Sequence, residues 1–199
     1  RCAVGAVSVP LLMVLQSIGL LSGIDSELRS CVETLRKRCD SIQNGLNVPL
    51  EVAQGIGDGI PLIYGGGRIG AVAASRLKNQ INENAKTPAF FNAMPELCHN
   101  EIAGWGAAGD VAHHRISPLH LRHSFEHSRL SQRFDFNESI ATGGQGEVAT
   151  VQAQGDTPLA QLFDLILFGD QMSLELAALR GQDPGPIDVL IDLKHLLAE

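Results

Sequence analysis

The sequence predicts an α/β fold, a layered sandwich built on a parallel β-sheet with flanking helices. Short apolar runs of strand length recur at residues 60–64, 89–92 and 116–121, and segments with helical spacing of apolar residues separate them. Such alternation is typical of a parallel sheet covered by helices. With 199 residues the chain can bury one sizeable core, so we expect a three-layer sandwich around a single core.

The N-terminal part of the chain is predicted to be helical. An apolar run over residues 4–21 approaches the length of a membrane span, but glycine, serine, proline and glutamine interrupt it. These interruptions favour a buried core helix over a membrane span or a signal peptide. An amphipathic helix follows over residues 28–42, with Asp25 or Ser26 as its N-cap. The basic run 36–38 on that helix is interpreted as a solvated face.

Strands and helices alternate over the remainder of the chain. A short helix at residues 50–54 leads into the first strand, which ends in a run of three glycines. Pro118 is expected to interrupt the third apolar run, and Thr157 to cap a long helix. Residues 147–153 alternate like a strand near a sheet edge. Further helices are predicted at residues 69–84, 95–104, 127–134, 158–179 and 187–198.

Composition and charge argue against several kinds of partner. The formal net charge of −7, the pI near 5.4 and the scattered lysines and arginines leave no basic stripe, so we expect no nucleic acid. Cys2, Cys31, Cys39 and Cys98 lack the paired spacing of a zinc ribbon or a redox motif. We interpret them as reduced, mostly buried thiols of a cytoplasmic protein that uses no cofactor and binds no membrane.

The glycine-rich turn after the first strand allows two interpretations. Residues 65–70 satisfy the pattern G-x-G-x-x-G, and Glu83 follows at a distance that would suit a ribose hydroxyl, which would indicate dinucleotide binding. A dinucleotide-binding domain normally begins with this strand, whereas about sixty residues precede it here. We therefore favour a backbone that bends sharply and approaches another group closely.

Two polar segments follow that turn. Residues 78–86 read Lys-Asn-Gln-Ile-Asn-Glu-Asn-Ala-Lys, which places amide and carboxylate groups along one edge of a helix. These groups either face a sugar or a neighbouring subunit, or form an ordinary polar helix face. The segment His99-Asn100-Glu101 then brings three polar side chains to an otherwise apolar stretch. Glu101 suits either a catalytic base or a carboxylate at a helix N-terminus.

These motifs, in this order, resemble the C-terminal sugar isomerase (SIS) domain of bacterial and archaeal bifunctional phosphoglucose/phosphomannose isomerases. The resemblance extends over essentially the whole chain, including residues 159–170 and the turn at 183–186. It implies a metal-independent aldose–ketose isomerase that interconverts glucose 6-phosphate or mannose 6-phosphate with fructose 6-phosphate through a cis-enediol. It also implies a homodimer with a shared active site.

The resemblance implies roles for individual residues as well. Glu101 corresponds to the base that moves a proton between C1 and C2. His127 corresponds to the histidine, contributed by the second subunit, that opens the pyranose ring. Arg1 corresponds to an arginine that offsets charge on the enediolate, and Lys194 to a lysine that assists ring opening. The residues expected to bind the sugar phosphate are Gly65, Gly66, Asn82, Glu83, His99 and Asn100.

Five of the seven histidines lie between His113 and His127, which raises the question of a metal site. His123 and His127 have the spacing of two zinc ligands on a helix, but this segment is predicted to be a loop. We therefore expect no metal, and exposed loop positions for His113, His114, His120 and His123. A shift of a few residues in the correspondence would make His120 or His123 the ring-opening group instead of His127.

The domain organisation follows from the same resemblance. We expect residues 1–58 to be a helical segment that links from a missing N-terminal SIS subdomain, and residues 59–199 to form the C-terminal SIS domain. The first subdomain of relatives carries the loops that hold the substrate phosphate, and residues 142–146 are interpreted as a flexible loop that does not replace them. The isolated chain would then bind sugar phosphate poorly. The alternative function is a non-catalytic regulatory module that binds sugar phosphates.

Overall fold

The centre of the molecule is a four-stranded parallel sheet, in a computed structural model that describes residues 3–107, 114–142 and 148–198. Its strands are β1 (Ile60–Gly66), β2 (Phe90–Met94), β3 (Ile116–Arg122) and β4 (Ala149–Gln152). They are ordered β2-β1-β3-β4, and each neighbouring pair is parallel. The predicted α/β class and the edge position of the last strand are confirmed.

The predicted interruption of β3 is wrong, because the strand runs continuously through Pro118. Pro118 is paired with Leu62 of β1, whereas pairing with β4 starts one residue later, at Leu119. The proline has no N–H to donate, and it lies beyond the end of the β4 ladder, where none is needed. Residue 147, the predicted start of the last strand, lies outside the described residues.

Helices connect and cover these strands. The predicted helix at 95–104 is wrong as a single piece, because Asn100, with φ −146° and ψ −63°, separates a 3₁₀ turn (Glu96–His99) from an α-helix. The helix predicted at 127–134 starts two residues later and is longer, and Thr157 caps its helix as predicted. The α-helices are α1 (Val4–Ser17), α2 (Ile24–Gln43), α3 (Val48–Ile56), α4 (Gly67–Asn84), α5 (Ile102–Ala107), α6 (Arg129–Ala141), α7 (Pro158–Leu179) and α8 (Asp188–Leu197).

The N-terminus of α2 differs from the prediction. Its N-cap is Gly23 in the left-handed conformation, with φ 75°, so Asp25 and Ser26 lie in the first turn. Gln16 performs the task of a cap, because its Oε1 accepts the Ile24 N–H at 2.6 Å. Its Nε2 donates to the Asp25 carboxylate at 2.7 Å. A side chain from the preceding helix thus satisfies a helix-end N–H that a local cap would otherwise bind.

Each face of the sheet has its own layer of helices. On one face, α3, α4 and α7 pack over Ile63, Leu119 and Leu121 in the largest apolar cluster. On the other face, α5 and α6 contribute to smaller clusters that include Tyr64 and Trp105. Helix α2 packs against α7 as a flanking helix. The structure therefore has the predicted three-layer arrangement.

The basic run on α2 is not wholly solvated. Arg36 and Lys37 are exposed, but Arg38 is 4% exposed and binds the Asp164 carboxylate of α7 through two nitrogens. Asp164 also accepts the backbone N–H of Gln154 at 2.7 Å. The interpretation of residue 38 as surface is therefore wrong, because its position on the helix faces α7 and an oppositely charged partner.

The first helix is exposed, so its predicted burial is wrong. Helix α1 has 14 residues and buries none of them, and Val7 and Leu11 are 70% and 57% exposed. It packs against α2, and this contact leaves its apolar side chains uncovered in the described chain. Helix α8 also has no buried residue. Among the residues that the structure describes, no helix combines the length and the apolarity needed to cross a membrane.

Three of the four cysteines are free thiols. Cys31 is buried, and Cys39 and Cys98 are half-buried. Burial raises the pKa of the Cys31 thiol to about 11, with the negative charge of Glu27 adding to the increase. Cys2 lies outside the described residues. Cys31 is therefore an unreactive thiol, and the reduced state of the cysteines stays a prediction.

Candidate active site

Glu101 lies between the 3₁₀ turn and α5, and its carboxylate is held by two hydrogen bonds. Its Oε1 accepts the Tyr64 hydroxyl at 2.6 Å, and its Oε2 accepts Nδ2 of Asn92 at 2.6 Å. The indole Nε1 of Trp105 donates in turn to the Tyr64 oxygen at 2.9 Å. The residue predicted as a base is thus fixed by three side chains that sequence analysis did not single out.

The sheet register explains why two different strands reach one carboxylate. Tyr64 of β1 is paired with Asn92 of β2. Paired residues of neighbouring strands point to the same face of a sheet, so the phenol and the amide lie side by side. One compositional signal was available beforehand, because Tyr64 and Trp105 are the only tyrosine and the only tryptophan in the chain.

Tyr64 is a hydrogen-bond donor rather than an anion in this network. Its side chain is fully buried. Burial raises the pKa of the phenol far above its usual value, and the hydrogen bond to Glu101 raises it further. The hydroxyl therefore keeps its proton and donates a hydrogen bond to the carboxylate.

The two neighbours of Glu101 that were predicted to bind substrate are exposed. His99 ends the 3₁₀ turn, and Asn100 follows it. The Oδ1 of Asn100 accepts the Glu101 backbone N–H at 2.6 Å, which fixes the backbone that carries the carboxylate. Both side chains are accessible, and their contact with substrate stays a prediction.

Glu101 and His127 border different cavities. Glu101 borders a cavity of about 380 Å³ whose other walls are apolar. His127 borders a cavity of about 540 Å³ at the carboxyl ends of β1 and β3, which Gly67, His123 and three arginines also line. Within one chain, the predicted base and the predicted ring-opening group therefore do not share a cavity.

His120 was predicted to be exposed, and this prediction is wrong. It is 1% exposed, its Nε2 lies 2.9 Å from Oδ1 of Asn137, and its ring contacts those of Tyr64 and Phe134. Burial lowers the pKa of His120 to about 4, and the charge of Arg122 acts in the same direction. The alternation of β3 explains the error, because His120 points to the face of the sheet on which α6 packs.

The other histidines differ in their accessibility. His123 is 5% exposed, with Nε2 2.8 Å from the carbonyl oxygen of Gly66, so its predicted exposure is also wrong. His114 is exposed as predicted, and His113 lies outside the described residues. His127 is exposed in the loop before α6, where it can meet a group from another molecule. Accessibility therefore favours His127 over His120 and His123 as a reactive histidine.

The three-glycine turn is explained by close packing. A Cβ on Gly65 would lie 2.1 Å from the carbonyl oxygen of Gly70, and one on Gly66 would lie 2.3 Å from the Glu126 carboxylate. The glycines thus let α4 and the loop after β3 approach β1. Glu83 lies near the end of α4 rather than after the next strand, so it does not fit the dinucleotide pattern. Substrate contacts of Gly65 and Gly66 stay predictions.

The amide-rich part of α4 mainly joins two helices. Gln80 and Asn84 are buried and donate to polar side chains of α7, each at 2.8 Å. Asn82 donates to the carbonyl oxygen of Thr87 at 2.7 Å and so closes the turn after α4. These bonds account for most of the amide groups without a ligand. Asn82 and Glu83 as substrate contacts stay predictions.

The structure describes one of the two predicted cations. Arg1 is outside the described residues, and Lys194 is exposed on α8. In the described ranges, no three side chains among histidines, cysteines, aspartates and glutamates come together as a metal site. Metal independence itself stays a prediction.

Solved structures define the fold class. A glucose-6-phosphate isomerase like protein from Thermus thermophilus has a TM-score of 0.62 at 17% identity, over 85% of this chain and 56% of that chain. The C-terminal domain of glucosamine-fructose-6-phosphate aminotransferase from Francisella tularensis has a TM-score of 0.56 at 12% identity, over 79% and 45%. At these identities the likeness shows the fold alone, an α/β sandwich.

The chain belongs to the family described as bacterial phospho-glucose isomerase C-terminal SIS domain, whose model matches residues 47–197. A bifunctional phosphoglucose/phosphomannose isomerase from Caldicellulosiruptor bescii is 34% identical over the whole chain and 60% of that relative. A protein of the same name from Aquifex aeolicus is 32% identical over 89% of the chain and 54% of that relative. The chain thus spans less than two thirds of these relatives, and the predicted family is confirmed.

Proposed function

We propose that the full-length protein is a metal-independent aldose–ketose isomerase. It interconverts glucose 6-phosphate, mannose 6-phosphate or both with fructose 6-phosphate. Relatives named as bifunctional phosphoglucose/phosphomannose isomerases support this reaction class. The observation that carries the proposal is the half-buried carboxylate of Glu101, both of whose oxygens are held in place at 2.6 Å.

The proposed chemistry is a proton transfer through a cis-enediol. One carboxylate removes the proton from C1 or C2 and returns it to the neighbouring carbon on the same face of the open-chain sugar. An ionised carboxylate has about four lone-pair positions, so Glu101 keeps acceptor capacity after binding Tyr64 and Asn92. His127 and Lys194 would open the ring, and Arg1 would offset the negative charge on the enediolate.

We further propose a homodimer with shared active sites. Glu101 and His127 line separate cavities in one chain, and His127 is exposed. A histidine that opens the sugar ring beside Glu101 would therefore come from a second copy. This arrangement agrees with a two-fold interface, in which each subunit contributes the same group to the site of the other.

A coupled assay of fructose 6-phosphate formation tests the proposed reaction on the full-length protein. Glucose 6-phosphate and mannose 6-phosphate are supplied separately, with and without a chelator. We expect turnover that resists the chelator. In Glu101→Gln, turnover should fall by about 10³-fold with substrate affinity retained, because the amide cannot accept the substrate proton.

Glu51→Gln is the matched control, because Glu51 is an exposed carboxylate in the first turn of α3. This variant should keep wild-type turnover. Full turnover in Glu101→Gln would exclude Glu101 as the base, and turnover that the chelator abolishes would exclude the metal-independent reaction. A folded protein that binds sugar phosphate without turnover would support the alternative, a regulatory module.

A further inference from the structure

We propose that Tyr64 and Asn92 are positioning residues for the Glu101 carboxylate, an inference that rests on the proposed isomerase function. They bind different oxygens of the carboxylate, each at 2.6 Å. They are paired residues of β1 and β2, so the sheet holds both donors at a fixed separation. Two donors on two oxygens fix the plane of the carboxylate, which a single hydrogen bond would leave free to rotate.

The direction of each hydrogen bond in the network is determined by its partners. The Nε1 of Trp105 can only donate, so the Tyr64 oxygen accepts this hydrogen bond. The Tyr64 hydroxyl in turn donates a hydrogen bond to Glu101. The Oδ1 of Asn92 accepts the Ala93 N–H at 2.8 Å, which turns the Nδ2 toward Glu101. Both bonds are therefore donated to the carboxylate, one to each of its oxygens.

The surroundings of the carboxylate strengthen these two bonds. The Tyr64 side chain is fully buried, and its hydroxyl contacts the Glu101 carboxylate. The cavity beside Glu101 is lined otherwise by Ile60, Leu62, Phe90, Phe91 and Ile116. A hydrogen bond to a charged group in apolar surroundings is stronger than the same bond in water. Removing either donor should therefore loosen the orientation of the Glu101 carboxylate.

The test removes one donor at a time in the full-length protein. Tyr64→Phe keeps the buried ring and loses the hydroxyl, and Asn92→Leu keeps the approximate shape and loses the amide. We expect kcat for isomerisation to fall about tenfold in each variant, with KM within about twofold of wild type. A general packing defect would raise KM as well, so the unchanged KM separates a positioning role from a structural one.

Ser173→Ala is the matched control. Ser173 is fully buried, accepts a hydrogen bond from Asn84 at 2.8 Å and lies on α7, away from Glu101. This variant should leave kcat and KM unchanged. Near-ultraviolet circular dichroism checks folding. If Tyr64→Phe does not fold, Trp105→Phe, which frees the Tyr64 hydroxyl to turn, should also lower kcat with KM unchanged.

The outcomes separate this proposal from the proposed function. If Glu101→Gln is inactive while Tyr64→Phe and Asn92→Leu keep the wild-type kcat, the positioning role is overturned and the isomerase stands. If the wild-type protein does not isomerise sugar phosphates, or Glu101→Gln is fully active, both proposals are overturned. A fall in kcat that Ser173→Ala matches, or that comes with an equally large rise of KM, would show a structural effect and overturn the positioning role.

Discussion

Burial divides the histidines around β3 into two chemical kinds. His120 is enclosed by aromatic rings, and its burial lowers its pKa and so keeps the imidazole neutral, against the opposing effect of the hydrogen bond to Asn137. His127 is exposed at the rim of a cavity that three arginines also line. Only an imidazole of the second kind can exchange a proton with a bound sugar. The strand position of His120 makes it a structural residue instead.

We predict that His120 makes the folded protein less stable as the pH falls. Burial lowers the pKa of His120 from 6.5 to about 4 in the folded protein. Between pH 6.5 and pH 4 this histidine is therefore protonated in the unfolded chain and neutral in the folded protein. Its stabilisation is therefore complete above pH 6.5 and is lost on acidification. From pH 7 to pH 5 this residue should lower the free energy of unfolding by about 2 kcal/mol, which urea unfolding at both pH values measures.

Two variants identify the residue responsible. His120→Leu should remove this part of the pH dependence, although the leucine leaves the side chain of Asn137 without its bond to the ring. His114→Leu should retain it, because His114 is exposed. An identical pH dependence in wild type and His120→Leu would contradict a buried, neutral His120.

At the residue scale, sequence reasoning singled out Glu101, whose role stays a prediction, but not the side chains that bind its carboxylate. The motif around Glu101 is local in sequence, so it was visible without a structure. Tyr64 is 37 residues away, and Asn92 reaches the same carboxylate only because of the register between β1 and β2. Register depends on how strands pair in three dimensions, which a single sequence does not specify.

Among the elements, α2 and α7 are joined by the buried ion pair between Arg38 and Asp164. We predict that Arg38→Met lowers the free energy of unfolding by about 3–5 kcal/mol, because it leaves the Asp164 charge buried with fewer partners. Chemical denaturation at pH 7 measures the loss. The double variant Arg38→Met with Asp164→Leu should recover part of it, because no buried charge then remains unpaired.

Lys37→Met is the control for this pair, since Lys37 is its neighbour in sequence and pairs with Glu33 in solvent. Exposed pairs contribute little to stability, so this variant should unfold nearly as wild type does. Equal effects of Lys37→Met and Arg38→Met would show that the Arg38 pair does not join the two helices.

At the element scale, features that depend on neighbouring residues in the sequence were predicted correctly. The burial of elements, which depends on tertiary packing, was predicted less well. The unit β1-α4 and the Thr157 cap of α7 follow from apolar runs, glycines and a capping residue close in sequence. The exposure of α1 and the break at Asn100 do not, because each depends on which surfaces are available to cover the segment. Apolar composition alone could not distinguish an exposed helix from a buried one.

In the whole molecule, two of the proposed catalytic groups, Glu101 and His127, border different cavities. Glu101 borders the apolar cavity near the first residues of β1, β2 and β3. His127 borders the cavity that three arginines line, at the opposite ends of β1 and β3. Under the proposed function, the base and the ring-opening group of one chain would act on different sugars. A dimer would join each group to its counterpart from the other subunit.

The most direct test of this account is the activity of mixed dimers formed from Glu101→Gln and His127→Gln subunits of the full-length protein. Each variant alone should be inactive. In a random mixture, half of the dimers are mixed, and each mixed dimer has one site with both native groups, so about a quarter of wild-type isomerase activity should return. No recovery from a preparation that contains mixed dimers would contradict an active site shared between Glu101 and His127.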